Sequence, residues 1–195
     1  MRSFAPHRLG RYECDAWVSY YRHEWTRFLP ASIGMVREAF GLSPPRTLQA
    51  AYLVLRANQL WAPFPDNDRA GAEATMRRFY DLVARVHGLP LDPARAARLE
   101  VEWWRHHREL QHRSDGEPPD LGPLIEALTA LYAYVYTAPP DDVRPAAALR
   151  ADAMTYSDRW VAEGCDLASP LLVDELTCLV RSYAALRAAV SEPPA

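Results

Sequence analysis

Between Thr47 and Trp61 the chain reads TLQAAYLVLRANQLW, apolar on nearly every side of a 3.6-residue turn. Elsewhere apolar positions recur three and four apart, and no segment alternates as a half-buried strand would. The pattern predicts an all-α single domain over residues 1–195, a bundle of about eight helices. Arg11–Leu29 forms the first, stopped by Pro30. Ser32–Phe40 is the second, stopped by Gly41. The third runs from Pro45 or Arg46 to Trp61 and is expected to be the central buried helix. Asp68 caps a fourth, Arg69–His87, which ends at Gly88. Asp92–Pro93 opens a fifth, a cap followed by proline at the first helical position, reaching Ser114–Asp115–Gly116. Leu121–Tyr136, Val143–Glu163 and a helix from Ser169–Pro170 to Val190 complete the set. SDGEPPDLGP reads as a loop, and residues about 191–195 as a frayed tail.

Each helix has a face. On the first, Cys14, Trp17, Val18, Tyr21, Trp25, Phe28 and Leu29 share one side, with Glu24 at its edge and His23 pointing away. The sixth buries Leu124, Leu128, Leu131 and Val135. The seventh buries Leu149, Ala153, Tyr156 and Trp160, flanked by Asp152 and Glu163. The eighth buries Leu172, Leu176, Leu179, Tyr183 and Leu186. The fifth is LEVEWWRHHRELQHR over Leu99–Arg113, with Leu99, Trp103 and Leu110 as its stripe. Two polar lines border that stripe: Glu102, His106 and Glu109 on one side, Glu100, His107 and Gln111 on the other.

Composition narrows the chemistry. A chain of 195 residues can bury roughly 70% of its unfolded surface without help from disulfides or metals. A net charge of −3 offers no basic field for nucleic acid. All 22 basic residues are arginine, which excludes lysine Schiff bases and the P-loop lysine. The arginine, alanine and proline usage suggests a GC-rich bacterial genome. Cys14, Cys165 and Cys178 are odd in number and far apart, as in reduced cytoplasmic proteins. No apolar run is long enough to span a membrane. No GxGxxG, GxSxG or HExxH occurs.

Three constellations remain. Glu102 and His106 stand one helical turn apart, able to chelate a metal or to exchange a proton as a catalytic pair. The remaining metal ligands would come from Glu24, Asp152 and Glu163, a carboxylate-rich set suited to iron or manganese rather than structural zinc. Ferritin-like di-iron bundles use two ExxH pairs, whereas only Glu109–His112 has that spacing, which departs from that pattern, and the scattered ligands would sit closer to a haem-oxygenase-like architecture. Haem itself is disfavoured. Arg56, Asn58 and Gln59 form the second group, with Arg56 expected to be partly buried against Glu24, Glu102 or Asp152, either as a structural salt-bridge network, the favoured reading, or as a clamp for a ligand anion. Tyr156 would join this ligand-binding set. The third, Asp66–Asn67–Asp68, could hold Mg²⁺ for a diphosphate, but helix capping explains it better. The leading expectation is a cytoplasmic small-molecule site between the first, third, fifth and seventh helices, with acid–base or metal-assisted chemistry. The alternative is a non-catalytic interaction protein or homo-oligomer whose aromatic faces form the interface.

Overall fold

A computed structural model describes residues 3–113 and 119–191. Eight helices account for most of them: α1 (Pro6–Tyr21), α2 (Trp25–Phe40), α3 (Pro44–Trp61), α4 (Arg69–His87), α5 (Pro93–Gln111), α6 (Gly122–Tyr136), α7 (Pro140–Ala162) and α8 (Leu171–Ser191). There is no strand among the described residues. The helices form an all-α bundle. None is long and apolar enough to cross a membrane.

Local chemistry sets many of the ends. Proline stands in the first turn of α1, α3, α5, α6 and α7, where its missing N–H costs nothing. Asp68 and Asp92 accept the backbone N–H groups of Gly71 and Ala94 at 2.8 and 2.9 Å. Asp68 is thus a cap, as its sequence context suggests. Gly41 and Gly88 close α2 and α4 with φ of 57° and 61°, a region that penalises a Cβ.

Helices adjacent in sequence pack side by side, and α8 closes back onto α1. The result is a closed circuit, thinnest at the seam between α2 and α3. One large apolar core fills it; a small satellite of Cys14, Ala153 and Leu179 sits between α1, α7 and α8.

Several expectations need correction. The first helix does not run to Leu29. It breaks at His23, which takes φ 58°, a conformation His tolerates better than most residues, and α2 begins at Trp25. Pro30 then lies inside α2, near its start, and costs that helix a hydrogen bond without ending it. The third helix is not central: Leu48, Tyr52, Arg56 and Gln59 form an outward face, with Leu48 57% and Tyr52 61% exposed. On α7 the buried face is rotated to Val143, Ala146, Ala147, Ala151, Ala153, Met154, Ser157 and Trp160, leaving Leu149 and Tyr156 half-buried. On α8 it runs through Leu171, Glu175, Leu179, Ser182 and Tyr183, and Leu172 and Leu176 are half-buried. The sixth helix buries its four expected residues. The predicted fifth-helix end at Ser114–Gly116, most of the following loop and the tail from 192 lie outside the described residues.

Candidate functional site

The small residues of α5 decide which of its sides faces the core. Ala96, Ala97, Val101, Trp103 and Trp104 are buried. That turns Glu100, His107 and Gln111 inward and leaves Glu102, His106 and Glu109 at the rim.

Glu100 receives three donors. Tyr80 O–H reaches one carboxylate oxygen at 2.6 Å, and the indole N–H groups of Trp103 and Trp104 reach the other at 3.1 and 3.3 Å. Burial, then the Glu100 charge, pushes the Tyr80 phenol well above its usual range. Nearby, Arg150 of α7 donates through Nη2 to Glu13 of α1 at 2.6 Å and through Nη1 to the Tyr132 hydroxyl of α6 at 3.1 Å. Tyr183 of α8 donates to the second oxygen of Glu13. Glu13 is 1% exposed. Burial alone would lower the Arg150 pKa; Glu13 reverses this and holds it well above the ordinary value. The guanidinium also lies over the Trp103 ring, 4.9 Å from its centroid. Its Nε is buried without a partner.

These groups surround a cavity of about 140 Å³ on the axis of the circuit, to which all eight helices contribute. Leu9, Val36, Val54, Met76, Glu100, Tyr132, Arg150 and Tyr183 represent the eight in chain order. A second cavity of about 150 Å³ lies behind the α2–α3 seam, between Phe28 and Ser32 on one side and Asn58 and Trp61 on the other. Met35, Val54 and Trp104 line both. On the outer cavity's wall, His107 Nε2 lies 3.0 Å from Asp158, and Gln111 donates to Asp158 at 2.8 Å and to the Tyr21 hydroxyl at 2.9 Å. Burial pushes the Tyr21 phenol up to about 12.

Against known family models, curated proteins and solved structures, the chain shows no match. The geometry alone therefore carries the functional argument.

The sequence candidates fall mostly outside these cavities. Glu102 meets Arg105 at 2.7 Å and Arg69 at 3.1 Å, and the Arg105 hydrogen bond pulls its carboxyl below the usual value. His106 sits beside Arg105 and lies 3.5 Å from Glu102 and 3.6 Å from Glu109, so it belongs to the same rim cluster. Glu24 is occupied by Arg22 and Arg27, and the Arg22 hydrogen bond lowers its pKa. Asp152 and Glu163 are exposed. The five proposed metal ligands are not brought together, and no three His, Cys, Asp or Glu side chains among the described residues converge to hold a metal ion. Arg56 is exposed rather than buried, and reaches only as far as Gln59 at 3.4 Å. Gln59 is exposed as well. Tyr156 lines neither of the two cavities. Asn58 does line the outer one, with its amide donating to the Val54 carbonyl of its own helix at 2.9 Å.

Sequence reasoning missed Glu13, Arg150 and Glu175. Each is a charged residue set into an apolar stripe: Leu9–Glu13–Trp17, Ala146–Arg150–Met154 and Leu171–Glu175–Leu179, all at i, i+4, i+8. That embedding was the available signal. Glu175 is 0% exposed, and no nitrogen or oxygen donor reaches its carboxyl, leaving the weakly polar Cys14 thiol as its neighbour. Burial raises its pKa from the usual 4.5 to about 8, so the carboxyl is held largely protonated at neutral pH. The neighbouring Cys14 thiol is raised too, by burial and then by Glu175.

Proposed function

We propose that the protein binds a small, largely apolar molecule in the axial cavity, with the outer cavity behind the α2–α3 seam as its approach. The observation that carries this reading is the convergence of Glu100, Arg150 and several tyrosines from different helices on one aromatic-walled space. Such a cavity, mostly apolar with a few placed polar groups, is the usual form of a ligand site. Glu100, His107 and Arg150 take the places that Glu102, His106 and Arg56 occupy in the sequence argument. His107, braced by Asp158, is the group that would move a proton for a ligand in the outer cavity. Three free cysteines fit a reducing compartment.

The test is benzene binding, since a cavity of roughly 150 Å³ accepts that molecule. Benzene should raise the melting temperature of the wild type and shift its tryptophan emission. Val54→Trp, which fills the wall shared by both cavities, should abolish both effects. An unmoved wild type would remove the proposal.

A second reading rests on a separate observation. Trp25 and Leu29 of α2 and Leu48 and Tyr52 of α3 are 52%, 48%, 57% and 61% exposed. Large apolar side chains left in water on two neighbouring helices suit a homo-oligomer. Sedimentation that shows only monomer would dismiss it.

A further inference from the structure

Resting on the small-molecule reading, we infer that the axial cavity selects an organic cation, an ammonium carried on an apolar body. Among the described residues Arg150 is the only basic side chain lining this cavity, and Glu13 already pairs with it at 2.6 Å. Glu100 has no cationic hydrogen-bond donor among the described residues, and Arg150 acts on it only through charge at longer range. Its three donors, Tyr80, Trp103 and Trp104, are all neutral. A carboxylate offers about four acceptor sites, so one remains for a ligand N–H or for the field of a quaternary ammonium. Two carboxylates, Glu13 and Glu100, therefore share the single Arg150 charge, which leaves the site with an excess of negative charge.

The rest of the wall favours the same sign. Phe79 packs edge-on against both Phe40 and Tyr80, with centroids 5.1 and 5.2 Å apart, and Trp104 and Tyr136 complete the aromatic lining around Glu100. Ring faces attract cations most strongly where water is excluded. The protein uses this attraction itself, placing the Arg150 guanidinium over Trp103. An anion would meet the Glu100 carboxylate with only Arg150 to offset it, and that charge is shared with Glu13. The buried Arg150 Nε has a different use, as a donor to a neutral oxygen on the same ligand. At about 140 Å³ the space suits a trimethylammonium group, and the apolar body would extend past Met35 and Val54 into the outer cavity.

Calorimetry with three probes of similar size tests this: benzyltrimethylammonium, its uncharged carbon isostere neopentylbenzene, and phenylacetate. The cation should bind about tenfold or more tighter than the isostere, and phenylacetate weakest of all. In Glu100→Gln the cation should fall to the level of the isostere, whose own affinity should not change. Glu102→Gln, at the rim, should leave all three as in wild type. Equal binding of cation and isostere would overturn the inference while leaving the cavity proposal standing, and so would tightest binding of phenylacetate. Failure of all three probes where benzene still binds would do the same; failure of benzene as well would remove both. The cation–isostere comparison uses the wild-type protein, so a poorly folded Glu100→Gln would not shelter the inference.

Discussion

Glu100 and Glu102 stand two residues apart on α5 and live in opposite surroundings. Glu102 is one of several carboxylates among arginines at the rim, each pair partly wetted and exchangeable. Glu100 is gripped by a phenol and two indoles beside a cavity. A rim carboxylate has many substitutes for a lost partner, including water. An inward one has none, and its removal leaves donors stranded. The same contrast separates Arg105 from Arg150, while His106 and His107 differ less in burial than in partners, the first beside Arg105 and the second on Asp158.

The sharpest way to break this comparison is at the arginines. Arg150→Ala strands Glu13, 1% exposed, and should cost about 3–5 kcal/mol. Arg105→Ala, for all its partners, should cost no more than about 1 kcal/mol. Urea denaturation measures both, and equal costs would erase the distinction between rim and interior.

Of comparable size is the effect at Glu175, the buried carboxyl whose nearest polar neighbour is the Cys14 thiol. Its pKa is raised from 4.5 to about 8 in the folded chain. The folded state therefore holds this proton more tightly than the unfolded state does. The corresponding stability is fully present below pH 4.5 and is lost as pH rises to about 8, a change on the order of 5 kcal/mol across that window. Glu175→Gln cannot titrate, and should flatten that part of the stability–pH curve. An unchanged slope in the variant would mean that the carboxyl is not the source.

Glu100→Gln should cost about 1–3 kcal/mol by disturbing three hydrogen bonds, against less than about 1 kcal/mol for Glu102→Gln. The smallest expected difference lies at the histidines. His107→Ala removes one of two partners of a half-buried Asp158, leaving Gln111, and should cost about 1 kcal/mol, with His106→Ala smaller still. Thermal melts of the two variants, compared directly, would reverse this order if His106 were the inward residue.

The polar lines on α5 show how far the sequence could be read. Both were visible at Leu99–Arg113, and periodicity placed each beside the stripe. Choosing between them required knowing that Val101 and Trp104, not Leu99 and Leu110, would be the buried members. That choice is made by neighbouring helices and leaves no mark in α5 itself. The ends at Gly41, Asp68, Gly88 and Asp92 were legible because each cap is local chemistry. The break at His23 was not, because a left-handed histidine between aromatic residues carries no compositional sign. Arg56 misled for a related reason. Apolar neighbours all round α3 suggested a central helix, whereas its outer face leaves Leu48 and Tyr52 in water.

The bond between Glu13, Arg150 and Tyr183 has a consequence for how the chain is made. Its members are separated by 137 and 170 residues. During synthesis Glu13 emerges long before either partner, and α1 cannot settle against the core with that carboxylate uncompensated. Local hairpins such as α4–α5 can assemble as they appear, but the circuit closes only when α8 arrives. A nascent chain stalled before Tyr183 should hold its first helix loosely, open to proteases, and the last stretch of translation becomes the step that commits the molecule to its fold.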